Sequence, residues 1–86
     1  MTFLFPKHWR TLTYIQKYEK YNPSLSPRHS EIQYGCGYTD KMEVENVLKH
    51  LQNQGLVHTY YKLINGQKIL FAAYNARATG LVGVEV

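Results

Sequence analysis

Cysteine, acidic residues and long apolar runs are all scarce in this sequence, and each scarcity closes off a class of protein. A single cysteine, Cys36, excludes an internal disulfide framework and any zinc site built on several thiolates, and it fits a reducing compartment. The amino end carries only a short bulky apolar run, Phe3 to Phe5. A secretory signal needs an apolar region of ~7–15 residues and a membrane helix needs ~20. No membrane partner is therefore expected, and the expected location is cytoplasmic, in the host cytoplasm if the chain is viral. Carboxylates are outnumbered: six Asp and Glu against ten Lys and Arg leave a net charge of +4. With a pI near 9.3, that balance suits a polyanionic partner.

What is present suffices for a single folded domain spanning 1–86. The composition, 44% hydrophobic and 19% charged over 86 residues, supports a core and is not that of a disordered tail. A chain this short buries only ~60–65% of its unfolded surface, which leaves little room for a deep substrate cleft. No internal repeat or low-complexity tract is visible. Aromatic residues reach 14%, with eight tyrosines.

Pro6 suits the first turn of a helix, where its missing N–H costs nothing. From 7 to 21 there is no Gly or Pro, and apolar residues recur at helical spacing in two adjoining rows: Thr11, Ile15 and Tyr18, and Tyr14, Tyr18 and Tyr21. Asn22-Pro23 ends this first helix. A second helix is predicted over 27–36, with Ser26 as N-cap, Pro27 at the first helical position, and Ile32 and Cys36 on its buried face. Gly37 is the natural turn. Thr39 or Asp40 caps a third helix over 40–54, where Asp40 and Glu43 approximate a capping box. Val44, Val47, Leu48 and Leu51 follow at i, i+3, i+4, i+7, and Gly55 stops the helix.

After Gly55 the pattern turns to β-formers, Leu56 to Leu63 and Gln67 to Tyr74, around the tight-turn pair Asn65-Gly66, so a hairpin wing is predicted over 56–74. The tail, 75–86, is small-residue-rich and then apolar. It is expected to add a strand, beside 2–5, or to form a swapped arm. Helix, helix, tight turn, helix, hairpin is the order of an α+β winged helix-turn-helix.

Between Tyr14 and Phe71 a set of short features occurs in order: Tyr14-Ile15, Pro23-Ser24, the run Arg28-His29-Ser30-Glu31-Ile32, and Gly37-Tyr38. They continue with Leu48, Leu51 and Gly55 in a Leu-x-x-Leu-x-x-x-Gly pattern, followed by Leu56-Val57. With these features the span resembles the amino-terminal DNA-binding domain of LexA-type repressors. Gly35 and Cys36 depart from the family, which prefers helix formers there. The family's self-cleaving switch domain has no counterpart in these residues, so the resemblance implies DNA binding without self-cleavage.

In a helix-turn-helix the second helix of the motif enters the major groove. With Val44, Val47, Leu48 and Leu51 inward, Met42, Asn46, Lys49 and Asn53 point outward, with His50 nearby. Asn takes adenine bidentately, Lys donates to guanine and Met meets a thymine methyl. Glu45 flanks this face where the resembled family often carries a base-reading Glu. The expected base contacts are therefore Met42, Glu45, Asn46, Lys49 and Asn53. The expected phosphate contacts are Arg28, Lys41, Lys62 and Lys68, with Asn65 and Gln67 at the wing tip, and Lys49 is a candidate for a phosphate as well as for a base. A merely solvated helix face carries the same residue types, and Asp40, Glu43 and Glu45 count against DNA by charge.

Enzymatic chemistry is not expected. His8, His29, His50 and His58 show neither metal-ligand spacing nor pairing with carboxylates, Cys36 reads as a small core residue, and no cofactor or metal is implied. The tyrosines of the first helix read as core and interface area; those of the wing, Tyr60, Tyr61 and Tyr74, alternate faces and leave some rings exposed. The sequence thus predicts a small DNA-binding repressor of viral or mobile-element type, a homodimer on a two-fold site in double-stranded DNA. The rival expectation is a winged-helix module that binds a host protein partner and not DNA.

Overall fold

The computed structural model describes residues 5–75. Along them run α1 (Pro6–Tyr21), α2 (His29–Cys36), α3 (Lys41–Asn53), β1 (Val57–Ile64) and β2 (Gln67–Tyr74). Three helices followed by an antiparallel two-stranded hairpin form an α+β arrangement consistent with a winged-helix layout. The expected strand at 2–5, apart from Phe5, and the expected tail beyond Asn75 lie outside the described residues.

α1 opens at Pro6 behind an extended Phe5 and buries His8, Thr11, Leu12 and Ile15, one helical stripe at i, i+3, i+4, i+7. The expected tyrosine rows are corrected by this. Tyr14 and Tyr18 lie half-buried at the rim of the stripe, and Tyr21 is exposed. A phenol needs a polar partner, which the rim supplies: Tyr18 Oη donates to Glu31 at 3.1 Å. Tyr21 is the last helical residue, where the chain leaves the packed layer.

The start of α2 also departs from expectation. Its N-cap is Arg28, not Ser26, and Pro27 lies outside the helix. Pro27 is buried and its carbonyl accepts from the Ala72 amide at 3.1 Å, while Arg28 forms an isolated antiparallel bridge with Phe71. Sheet pairing claims the backbone that a proline-started helix would have used. The helix then begins two residues later, where the Glu31 carboxylate accepts from the Arg28 amide at 2.9 Å. Ser26 Oγ instead donates to Glu19 at 3.4 Å.

Leu12 and Ile15 of α1, Ile32 and Cys36 of α2, the α3 row Val44, Val47, Leu48 and Leu51, and Leu56, Val57, Leu70 and Ala72 of the hairpin side form one core. Tyr38 joins it from the turn after Gly37, which holds the left-handed φ of +76° that a glycine adopts without strain. The Tyr38 hydroxyl meets the Thr11 hydroxyl and lies 3.0 Å from the Lys7 carbonyl, which Thr11 Oγ1 also reaches at 2.9 Å. Two hydroxyl protons thus serve three polar contacts inside the fold and tie the turn to α1.

Gly35 explains its own departure from the resembled family's helix formers. A Cβ at this position would stand 2.3 Å from Tyr14 Cε2 and 2.7 Å from Cζ, because the Tyr14 ring lies on the α2 backbone. Alanine gains ~1 kcal/mol of helix propensity over glycine, but forcing the ring aside costs ~1–3 kcal/mol. Gly35→Ala is therefore expected to lower stability in urea titrations. In a Tyr14→Ala background the sign of the same substitution reverses, since propensity then acts alone.

Candidate nucleic-acid interface

α3 is fixed at its start by two carboxylates. Asp40 accepts from the Glu43 amide at 2.9 Å, and Glu43 accepts from the Thr39 amide at 3.1 Å and the Thr39 hydroxyl at 3.2 Å. Both acids are spent on the positive end of the helix, where negative charge is stabilised. Thr39 is the residue anchored and Asp40 the cap, which resolves the two alternatives the sequence allowed.

Burial of Val44, Val47, Leu48 and Leu51 turns the opposite side of α3 outward. Met42, Asn46, Lys49 and Asn53 are all exposed there, as expected. Glu45 is half-buried at the edge of this strip, with Lys41 Nζ 3.9 Å from its carboxylate. An exposed pair of this kind contributes little to stability, but it partly neutralises the carboxylate at this edge.

Between α3 and the hairpin runs a groove with Leu48 and Leu70 at its base and Lys49, Asn53 and Tyr61 along its sides. Thr59 Oγ1 donates across it to Gln52, joining β1 to α3. Asn65 and Gly66 form the hairpin turn with positive φ at both residues (52° and 78°), the geometry that suits a two-residue turn between twisted strands. Asn65 and Gln67 are exposed at this tip. The resulting register pairs Tyr61 with Leu70, Lys62 with Ile69 and Leu63 with Lys68. Paired residues share a face and successive residues alternate. Lys68 therefore lies on the groove side, its Nζ 4.7 Å from the centre of the Tyr61 ring.

Lys62 lies on the other face, 5.3 Å from the Phe71 ring centre, and Arg28 reaches the same ring at 5.7 Å. The expected phosphate set is thus not brought onto one surface. Lys41, Lys49 and Lys68 border the α3 side, whereas Arg28 and Lys62 sit on the outward face of the sheet. Gln52, Thr59 and Tyr61 are groove residues that sequence reasoning missed. Counting register back from Asn65-Gly66 would have placed Tyr61 opposite Leu70 and so on the helix side.

No family model matches the chain, and comparison with curated proteins and with solved structures finds no match.

The histidines are arranged less simply than their spacing implied. His8 of α1 and His50 of α3 stack, with ring centres 4.1 Å apart and planes 12° from parallel. His8 Nδ1, His50 Nε2 and His29 Nδ1 are buried and have no hydrogen-bond partner among the described residues. No group of three or more His, Cys, Asp or Glu side chains capable of holding a metal comes together among those residues. Burial holds the pKa of His8 below its ordinary value, with the neighbouring His50 ring and the Lys7 ammonium adding to the effect. His29 is lowered as well, first by burial and then by Lys41, against the opposing pull of Glu45 and a hydrogen bond with the Leu70 backbone. Burial pushes the Cys36 thiol up, as befits a core side chain.

A lowered histidine pKa means that the folded state binds fewer protons than the unfolded chain, so stability falls as pH drops below the ordinary value of about 6.5. The urea midpoint is expected to decrease from about pH 7 to about pH 5.5. His8→Gln should make that decline shallower, with His29 supplying the remainder. A slope unchanged by His8→Gln would refute the assignment to His8.

Proposed function

We propose that this protein is a sequence-specific double-stranded DNA-binding transcription regulator, acting as a homodimer in the manner of a small repressor of viral or mobile-element type. One observation carries the reading. Met42, Asn46, Lys49 and Asn53 form an exposed strip on α3, directly opposite its buried row and beside a hairpin with a small polar tip. A helix of this width fits a major groove ~12 Å across, and these residue types supply adenine, guanine and thymine contacts. The resemblance to LexA-type amino-terminal domains points the same way. Acidic charge near the strip weighs less against DNA than a count implies, because Asp40 and Glu43 cap the helix and Glu45 faces Lys41.

Phosphate contacts on this reading come from Lys41, Lys49 and Lys68, with Asn65 and Gln67 at the tip. Neutralising about three phosphates per subunit gives a slope of log affinity against log salt near −2.7. A second reading, a protein-binding module, is favoured by the exposure of Tyr34 at 92% and Leu63 at 77%. Co-purification from lysate with and without nuclease separates the two.

The direct test is selection of a preferred duplex from a random pool, followed by anisotropy titration. Asn46→Ala is expected to weaken the selected duplex about tenfold or more and random duplex little, since a base contact carries ~1–3 kcal/mol of discrimination. Lys49→Ala should weaken binding and make the salt slope shallower by about 0.9. Absence of any duplex binding at about micromolar protein in low salt would end the regulator reading.

A further inference from the structure

The outward face of the hairpin, the side turned away from α3, carries a patch that the duplex reading leaves unused. His58 and Tyr60 of β1 stack at 6.0 Å between ring centres, and Tyr60 stacks on Phe71 of β2 at 5.5 Å with planes only 8° apart. The three rings make a continuous aromatic strip across both strands. Lys62 lies over two of them, 5.8 Å from the Tyr60 centre and 5.3 Å from that of Phe71, and Arg28 lies 5.7 Å from the centre of Phe71. His58 and Lys62 are exposed and Tyr60 is half-buried, while Phe71 forms the base beneath the two cations. From 58 to 73 the residues of this face include no carboxylate; Arg28 also faces Glu31 at 4.0 Å, but that carboxylate already holds the Tyr18 hydroxyl and the Arg28 amide.

We infer that this face is a second nucleic-acid site, one that takes unpaired bases of a single strand, with His58 and Tyr60 as the stacking surface and Arg28 and Lys62 on the flanking phosphates. The occupant follows from the chemistry. Aromatic rings on an open sheet gain most from flat partners, and bases offer their flat faces only when they are not stacked in a duplex. A single strand supplies flat groups and negative charge at the same spacing, which matches rings flanked by cations. A second copy of the chain placed on this face would bury the cations of both copies with no carboxylate from 58 to 73 to pair them, and an apolar protein surface would have to strip water from both cations with nothing returned. This inference is independent of the duplex reading, because it uses the opposite side of the hairpin and none of the α3 strip.

The test titrates the full chain with a labelled oligothymidylate of about twelve nucleotides, with the same length of sugar–phosphate lacking bases, and with duplex. The expected result is binding of the oligothymidylate, weaker binding of the abasic strand, and a salt slope near −1.4 for two cations on a single strand. Tyr60→Ala should cost about tenfold on the oligothymidylate and leave duplex binding unchanged, while Tyr60→Phe retains most of the affinity. Lys62→Glu, at an exposed position, should also weaken the oligothymidylate, by removing a cation while leaving all three rings in place. Amide and ring chemical-shift mapping on the unsubstituted protein should centre on His58, Tyr60, Lys62 and Phe71. No binding of the oligothymidylate, equal binding of the abasic strand, insensitivity to both Tyr60→Ala and Lys62→Glu, or shifts centred on Met42 to Asn53 would each overturn the assignment.

Discussion

A helix of thirteen residues has only one side to bury, and the side that α3 buries dictates everything it can present. Val44, Val47, Leu48 and Leu51 are each almost wholly enclosed by α1, α2 and the hairpin. Truncating any one of them costs on the order of 1–5 kcal/mol, a large share of what a domain this small has to spare. The helix therefore cannot roll to offer another face. Met42, Asn46, Lys49 and Asn53 are held outward as a consequence of core packing, before any partner is considered. Asp40 and Glu43 fix where the helix begins, and so fix its axial position as well as its rotation.

The same economy governs the few carboxylates. Of the six acidic residues, Glu19, Glu31, Asp40 and Glu43 each accept a backbone amide: Tyr74, Arg28, Glu43 and Thr39 respectively. Each such bond joins two pieces of chain or closes a helix end, and Glu19 reaches from α1 to the far end of β2. Asp40 and Glu43 also lie against the positive end of α3, which offsets part of their negative charge.

Helix and strand identities were legible because they depend on local periodicity. The four-residue seam of α3, the Asn65-Gly66 turn and the Gly37 corner each declare themselves within one or two turns of chain. Features that depend on distant pairing were not legible. Ser26-Pro27 reads as a helix start on local grounds, yet Ala72, forty-five residues beyond Pro27, takes the Pro27 carbonyl and moves the start to His29. The stack of His8 on His50 arises only when α1 crosses the end of α3. Tyr21 looked like a member of an apolar row because periodicity reports which residues share a side, and not how far the packed neighbour extends. Of the candidate site, the α3 strip was readable from the seam; the division of the lysines between two surfaces was not.

That division follows from the hairpin turn. A two-residue turn sets the register without slack, and a strand alternates its faces residue by residue, so a shift of one position would exchange every side chain between groove and outer face. With Asn65 and Gly66 at the corner, Tyr61 and Lys68 fall beside α3, while Tyr60, Lys62 and Phe71 fall on the opposite side with Arg28. Neighbouring residues of one strand thereby acquire different chemistry: one face an amphipathic groove shared with a helix, the other a ladder of rings beneath cations. The bridge at Arg28 reinforces the second arrangement, since it anchors the Arg28 backbone beside Phe71 of β2 before α2 has begun. A short hairpin can therefore carry two chemically distinct surfaces at no cost in length, provided its register holds.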